Sequence, residues 1–156
     1  DLWSAGVDVW QGAPIRRLDH DGGAVTIAWR QGRTRLERIE AGAVVLATGR
    51  FFGGGLEATP HGVEECLLDL PVAVPYSRDD WHMGTFLGAP GHPINRVGVR
   101  VDSSMRPLGA EGRPRYRNLF AAGALLAGHD WVREKSGAGI SIVTGYAAAE
   151  AALASL

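Results

Sequence analysis

From Val7 to Ile39 apolar and polar residues alternate in four short stretches: Val7 to Trp10, Ala13 to Leu18, Val25 to Trp29 and Thr34 to Ile39. Gln11-Gly12, Asp21-Gly22-Gly23 and Gln31-Gly32 separate them. A period of two sends alternate side chains to opposite faces of a strand, and turn residues at this spacing predict a small antiparallel meander over residues 1–41. The pattern then changes. Ala43 to Ala47 reads AVVLA, uniformly apolar, which suits a strand covered on both faces of a parallel sheet; Leu119 to Ala122, LFAA, is a second such run. Both stop at or just before a glycine. Near the end, ISIVTGYAAAEAALASL spaces Ile140, Val143, Ala147 and Ala151 at helical intervals. That spacing and the alanine content predict the clearest helix of the chain, with Ser136 as its N-cap.

Between these patterned ends, Glu57 to Pro114 holds most of the prolines and few periodic segments. It is expected to be loop-rich, with one strand at Val97 to Val101. Residues 59–94 are read as an insert or as part of a second subdomain, because a structureless loop of that length is unusual in a compact domain. Residues 42–58 and 95–156 then form one unit. The fold class expected is α/β: a fragment of a Rossmann-like dinucleotide-binding fold with a small antiparallel β meander and a C-terminal helix.

Composition narrows the function classes. The 156 residues are 46% hydrophobic and 21% charged, enough for one packed core. The chain begins with Asp, shows no charged and apolar leader, and has no apolar run near the roughly 20 residues that cross a bilayer. The expectation is an internal or C-terminal piece of a longer cytoplasmic protein. A net charge of -1 leaves no electrostatic footprint for nucleic acid. The single cysteine, Cys66, excludes an intrachain disulfide and reads as a buried apolar thiol; five scattered histidines lack zinc-site spacing, so no metal is expected.

The candidate chemistry lies where the apolar runs stop. GAVVLATGRFFGGG, from Gly42, ends a strand in a turn with very little side chain on it. Ligands of open α/β sheets sit outside the carboxyl ends of the strands, where glycine lets a flat or anionic group reach the backbone. AVVLATG and LFAAG both put small residues at that edge. The helix start near Gly139 adds amide N–H groups and a positive dipole end, suited to a phosphate or to the negative charge of a reduced flavin. Each glycine alone has a plain explanation in chain turning or close packing; the order of all three features points to a flavin-binding face. Phe51 and Phe52 are expected to anchor the turn in the core, with packing over a flavin as the alternative. Arg50 is open between a phosphate, a flavin carbonyl, a partner carboxylate and a plain surface charge. Arg96, Arg100 and Arg106 read as outward residues of a half-exposed strand and its flanks. His82 and His92 read as solvated loop histidines and His129-Asp130 as a loop-forming pair, so no catalytic residue is assigned.

The stretches VVLATGRFFGGGLEA, GVEECLLDLPV, GVRVDSSMRPL, RNLFAAGALLAGHD and GAGISIVTGYAAAEAAL resemble the C-terminal half of the two-dinucleotide-binding-domain flavoproteins. Among these they are most similar to the B subunits of anaerobic glycerol-3-phosphate dehydrogenases. The resemblance implies a flavin, FMN more than FAD, lined by Thr48, Gly49, Ala122, Gly123, Gly137, Gly139 and Ile140. It also implies a separate catalytic flavoprotein subunit and a membrane-associated iron–sulfur subunit as partners, placing the chain in the cytoplasm beside the inner face of the cell membrane. With them the family oxidises sn-glycerol 3-phosphate to dihydroxyacetone phosphate and sends electrons toward quinone. The chain departs from the pattern at Trp131-Val132-Arg133-Glu134-Lys135, before the helix, and carries no GxGxxG fingerprint. The isolated chain is therefore expected to bind flavin weakly or not at all. Another flavin-dependent oxidoreductase of the superfamily and a flavin-free assembly scaffold are the competing readings.

Overall fold

The computed structural model describes residues 2–156. Three antiparallel strands, β1 (Ile15–Asp21), β2 (Ala24–Gln31) and β3 (Leu36–Glu40), form the expected meander, turned at Gly22-Gly23, both of which have positive φ. Its inner face buries Leu18, Val25 and Ala28. On the outer side the Trp29 indole donates to Asp19 at 2.7 Å under the Arg17 guanidinium. Val7 to Trp10 is not a strand: Val7, Asp8 and Trp10 are exposed between Gly6 and Gly12, with no apolar row to bury.

β4 (Val44–Leu46) follows, then the hairpin of β5 (Leu56–Thr59) and β6 (Gly62–Glu65), and β7 (Val72–Ala73), which pairs with β8 (Gly98–Val99). The segment expected to be loop-rich thus carries a hairpin. Its Val63, Leu68, Leu70 and Trp81 join Leu18, Val25, Leu46, Val99 and Leu119 in one hydrophobic cluster. β9 (Leu119–Ala121) pairs in parallel with β4, Val44 opposite Leu119 and Leu46 opposite Ala121. Among the described residues β4 pairs with β9 alone, and although Leu46 is buried, Val45 is 39% exposed, so AVVLA is not fully covered on both faces as expected.

The short helix α1 (Trp131–Glu134) leads into α2 (Gly137–Ala154). α2 lies on the β4–β9 pair through its small residues: Ala148 is fully buried, and Ala151 and Ala152 pack with it against Phe120. The larger residues face away, Ile142, Val143, Tyr146 and Leu153 all being exposed. The apolar stripe read from the sequence is therefore rotated, because small side chains allow the closest approach of helix to sheet. α2 also corrects the expectation about apolar length: among the described residues it is one helix long and apolar enough to cross a membrane by length and composition.

Candidate functional site at the strand ends

The parallel register of β4 and β9 brings Thr48-Gly49 and Ala122-Gly123 to the same end of the sheet, where the Ala122 N–H donates to Leu46 O at 2.9 Å. Gly123, at φ +71°, donates its N–H to Thr144 Oγ1 of α2 at 2.8 Å. The Ser141 hydroxyl lies near Gly123 and bonds back to Gly137 O at 2.9 Å. The helix start with Gly137, Gly139 and Ile140 thus lies just beyond the same edge. Gly123, Gly137 and Ile140 are thus tied together through Ser141 and Thr144, with Ala122 adjoining, whereas Thr48-Gly49 ends the neighbouring strand with its Thr48 side chain packed against Gly55; the Gly123 amide is taken by α2.

Three features fit a flat, electron-rich ligand. No side chain caps the first turn of α2, because the Ser136 hydroxyl bonds Glu134 Oε2 at 3.1 Å instead of the helix amides. This corrects the expected cap, and the N–H groups of the first turn lack a side-chain acceptor. The space where a Cβ of Gly139 would point is open. In addition, Thr48 Oγ1 is buried without a hydrogen-bond partner.

The triple glycine serves a different purpose. A Cβ on Gly53 would collide with Thr48 O, and one on Gly55 with Gly49 O and the Thr48 side chain. What lies against this turn is its own backbone. Gly54 and Gly49, both with positive φ, complete the reversal, with Gly55 N–H donating to Arg50 O at 3.1 Å. Phe51 and Phe52 do not anchor it: the turn throws both outward, and Phe52 is fully exposed.

Arg50 is the residue whose role the sequence concealed. It is neither a surface charge nor set toward a phosphate: it is 8% exposed, and its guanidinium donates to the carbonyls of Asn95, Leu126 (3.0 Å) and His129 (3.1 Å). It clasps the β4 turn to the chain before β8 and to the loop after β9. Burial pushes its pKa down, opposed by the charge of Asp130. Asp130, 1% exposed, accepts the Arg133 N–H and so caps α1, while Glu134 reaches back to the Asp130 N–H. Burial and then the Arg50 charge hold His129 below its ordinary pKa.

Asn118, also missed, is a second clasp. Its side-chain amide accepts the Val25 N–H at 2.8 Å and donates to Val25 O (2.7 Å) and Gly42 O (2.8 Å). It joins β2 to the start of β9 as a further strand residue would. His92 is not a free loop histidine: Nδ1 accepts the Met83 N–H and Nε2 lies 3.0 Å from Phe86 O. Cys66 is exposed, not buried. A cavity of about 740 Å³ opens between the meander and β4, lined by Trp10, Ile15, Ile39, Val45 and Thr48; of the seven candidates only Thr48 reaches it. No group of metal-ligating side chains occurs among the described residues.

Residues 20–140 match the model of a family described as an FAD binding domain, and the chain belongs to that family. Its curated relatives carry a more particular name. A protein of Halobacterium salinarum, named as the probable B subunit of an anaerobic glycerol-3-phosphate dehydrogenase, is 35% identical over 151 residues, 97% of this chain and 35% of the relative. The B subunit of the anaerobic glycerol-3-phosphate dehydrogenase of Vibrio cholerae is 37% identical over 116 residues, 74% of this chain and 26% of its own length. The protein of the same name from Aliivibrio fischeri is 32% identical over 118 residues, 76% of this chain and 26% of the relative. The chain therefore spans about a third or less of the length of the curated relatives it matches. No solved structure matches it significantly.

Proposed function

We propose that this chain is the flavin-side part of the B subunit of an anaerobic glycerol-3-phosphate dehydrogenase. In this reading residues 42–58 and 95–156 belong to a Rossmann-like unit, residues 1–41 are its meander, and residues 59–94 belong to an insert or second subdomain. The observation that carries it is the convergence of two parallel strand ends with a helix start that no side chain caps, in a member of the FAD-binding domain family. Thr48, Gly49, Ala122, Gly123, Gly137, Gly139 and Ile140 would line the ring. A bound flavin would supply reversible two-electron oxidation and reduction. The protein's own part is to hold and polarise. The first-turn N–H groups of α2 favour negative charge at the ring edge, the Thr48 hydroxyl is available to a ring oxygen or nitrogen, and Gly139 leaves room for close approach.

The protein would relay electrons from glycerol 3-phosphate oxidation, in a catalytic flavoprotein partner, toward quinone through an iron–sulfur partner. Its place would be the cytoplasmic side of the membrane, with membrane contact made by a partner. The exposed outer face of α2 and the open edge of β4 are surfaces that the rest of a full-length protein would cover. For the same reason we propose that residues 1–156 alone hold flavin weakly.

The test is the visible absorption spectrum of the purified full-length protein, followed by release and chromatography of any chromophore. A bound flavin supports the reading. Chromatography then separates FMN, which the resemblance favours, from FAD, which the family description names. A folded protein that stays colourless after addition of both flavins overturns it and leaves an assembly scaffold.

A further inference from the structure

An open pocket of about 440 Å³, lined by none of the seven strand-end residues, lies beside the β7–β8 pair. Val74, Pro75, Pro93 and Val97 give it apolar walls, and Arg96 and Arg100 are the only formally charged residues in its lining. Prolines fix the backbone of the wall, and the adjoining loop is closed at its base by the Ile94 N–H donating to Trp81 O at 3.1 Å. The His92 ring, bonded at both nitrogens, holds that loop from within. The wall is preorganised.

The two arginines differ from most in this chain. Ten others either pair with a carboxylate or donate to a main-chain carbonyl. Arg96 and Arg100, like Arg16, Arg33 and Arg35, do neither among the described residues, yet these two line one concavity with no carboxylate in it. Two guanidiniums lining one concavity that holds no carboxylate offer an anion charge-assisted hydrogen bonds that no protein group takes up. The volume lies within the range of small-molecule sites.

We propose that this pocket binds a small organic anion, its charged head between Arg96 and Arg100 and its short apolar body against Val74, Pro75 and Pro93. The site stands apart from the strand-end region and holds whether or not the protein carries a flavin.

The test is a ligand-observed NMR titration of the full-length protein with butyl phosphate and butyrate, using as the separated halves inorganic phosphate and 1-butanol for the first and formate and 1-propanol for the second. At least one of the two organic anions is expected to bind about tenfold or more tightly than either half. Arg96→Gln with Arg100→Gln should weaken it by about tenfold or more, whereas Arg33→Gln with Arg35→Gln should leave it unchanged. The tighter of butyl phosphate and butyrate identifies the head group. Binding no tighter than that of the halves, binding that survives the Arg96/Arg100 change, or an equal loss on changing Arg33 and Arg35 overturns the site.

Discussion

Replacing Arg50 with methionine removes the buried guanidinium and leaves the carbonyls of Asn95, Leu126 and His129 without their donor. Hydrogen bonds from a charged donor contribute about 1.5–3 kcal/mol each. Three of them give a gross loss of about 4–9 kcal/mol, and relief of the desolvation of the charge returns several. The net expectation is a loss of about 3 kcal/mol, a large share of a typical 5–15 kcal/mol. Since the clasp ties three segments together, the loss should appear locally. Amide exchange in the full-length protein should quicken roughly a hundredfold around residues 48–50, 95–97 and 126–129 when about 3 kcal/mol is lost. The urea midpoint should fall without a change in slope. Arg50→Lys keeps the charge but not the planar fork, and should recover only part of the loss. Unchanged exchange in the two loops, or a loss below about 1 kcal/mol, would show that the guanidinium does not hold these segments together.

Asn118→Ala should destabilise the fold by about 2–4 kcal/mol, read from chemical denaturation, because it strands the Val25 N–H and C=O inside the core. A loss under about 0.5 kcal/mol would refute the clasp. Gly55→Ala should prevent the turn from closing, whereas Gly54→Ala, with open space but φ +77°, should cost only about 1 kcal/mol of backbone strain; thermal unfolding of the two variants checks that order. Partial desolvation of the exposed thiol, followed by the charges of Glu65, Glu57 and Glu64, raises the Cys66 pKa. Its alkylation at pH 8 should thus be slower than that of free cysteine, and faster again in a Glu57→Gln, Glu64→Gln variant; equal rates would remove those charges from the account.

What the sequence made legible was local. The meander turns at Gly22-Gly23, the apolar runs at Val44 and Leu119, and the long helix all depend on short-range periodicity, and they formed within a few residues of expectation. Sidedness was not legible. The residues of α2 that face the sheet are decided by how closely helix and strands can approach, which placed Ala148 inside and Val143 outside. The aromatic pair Phe51-Phe52 looked like core, but glycines crowded against their own turn leave no inward direction for it. Arg50 and Asn118 act through main-chain groups distant in sequence, so nothing near either residue announced its task. The strand-end residues came forward from similarity in motif, whereas the meeting of Arg96 and Arg100 in one pocket required the path of the intervening chain.

The parallel pairing of Val44 with Leu119 also bears on the order in which the molecule assembles. Each hairpin of the meander closes across a short turn, and so does the β5–β6 hairpin, but β4 and β9 meet only after the whole intervening chain has been gathered, at a cost in loop-closure entropy. The meander offers Val25 to Asn118 as a template, which makes it the natural early structure and the strand-end edge the late one. During refolding, pulse-labelled amides of β1 and β2 should gain protection before those of β9. Simultaneous protection would show that the two regions condense as a single nucleus. If the order holds, whatever occupies the strand ends meets a surface that comes into being in the closing step of folding, and a ligand captured there would act as the latch on that step.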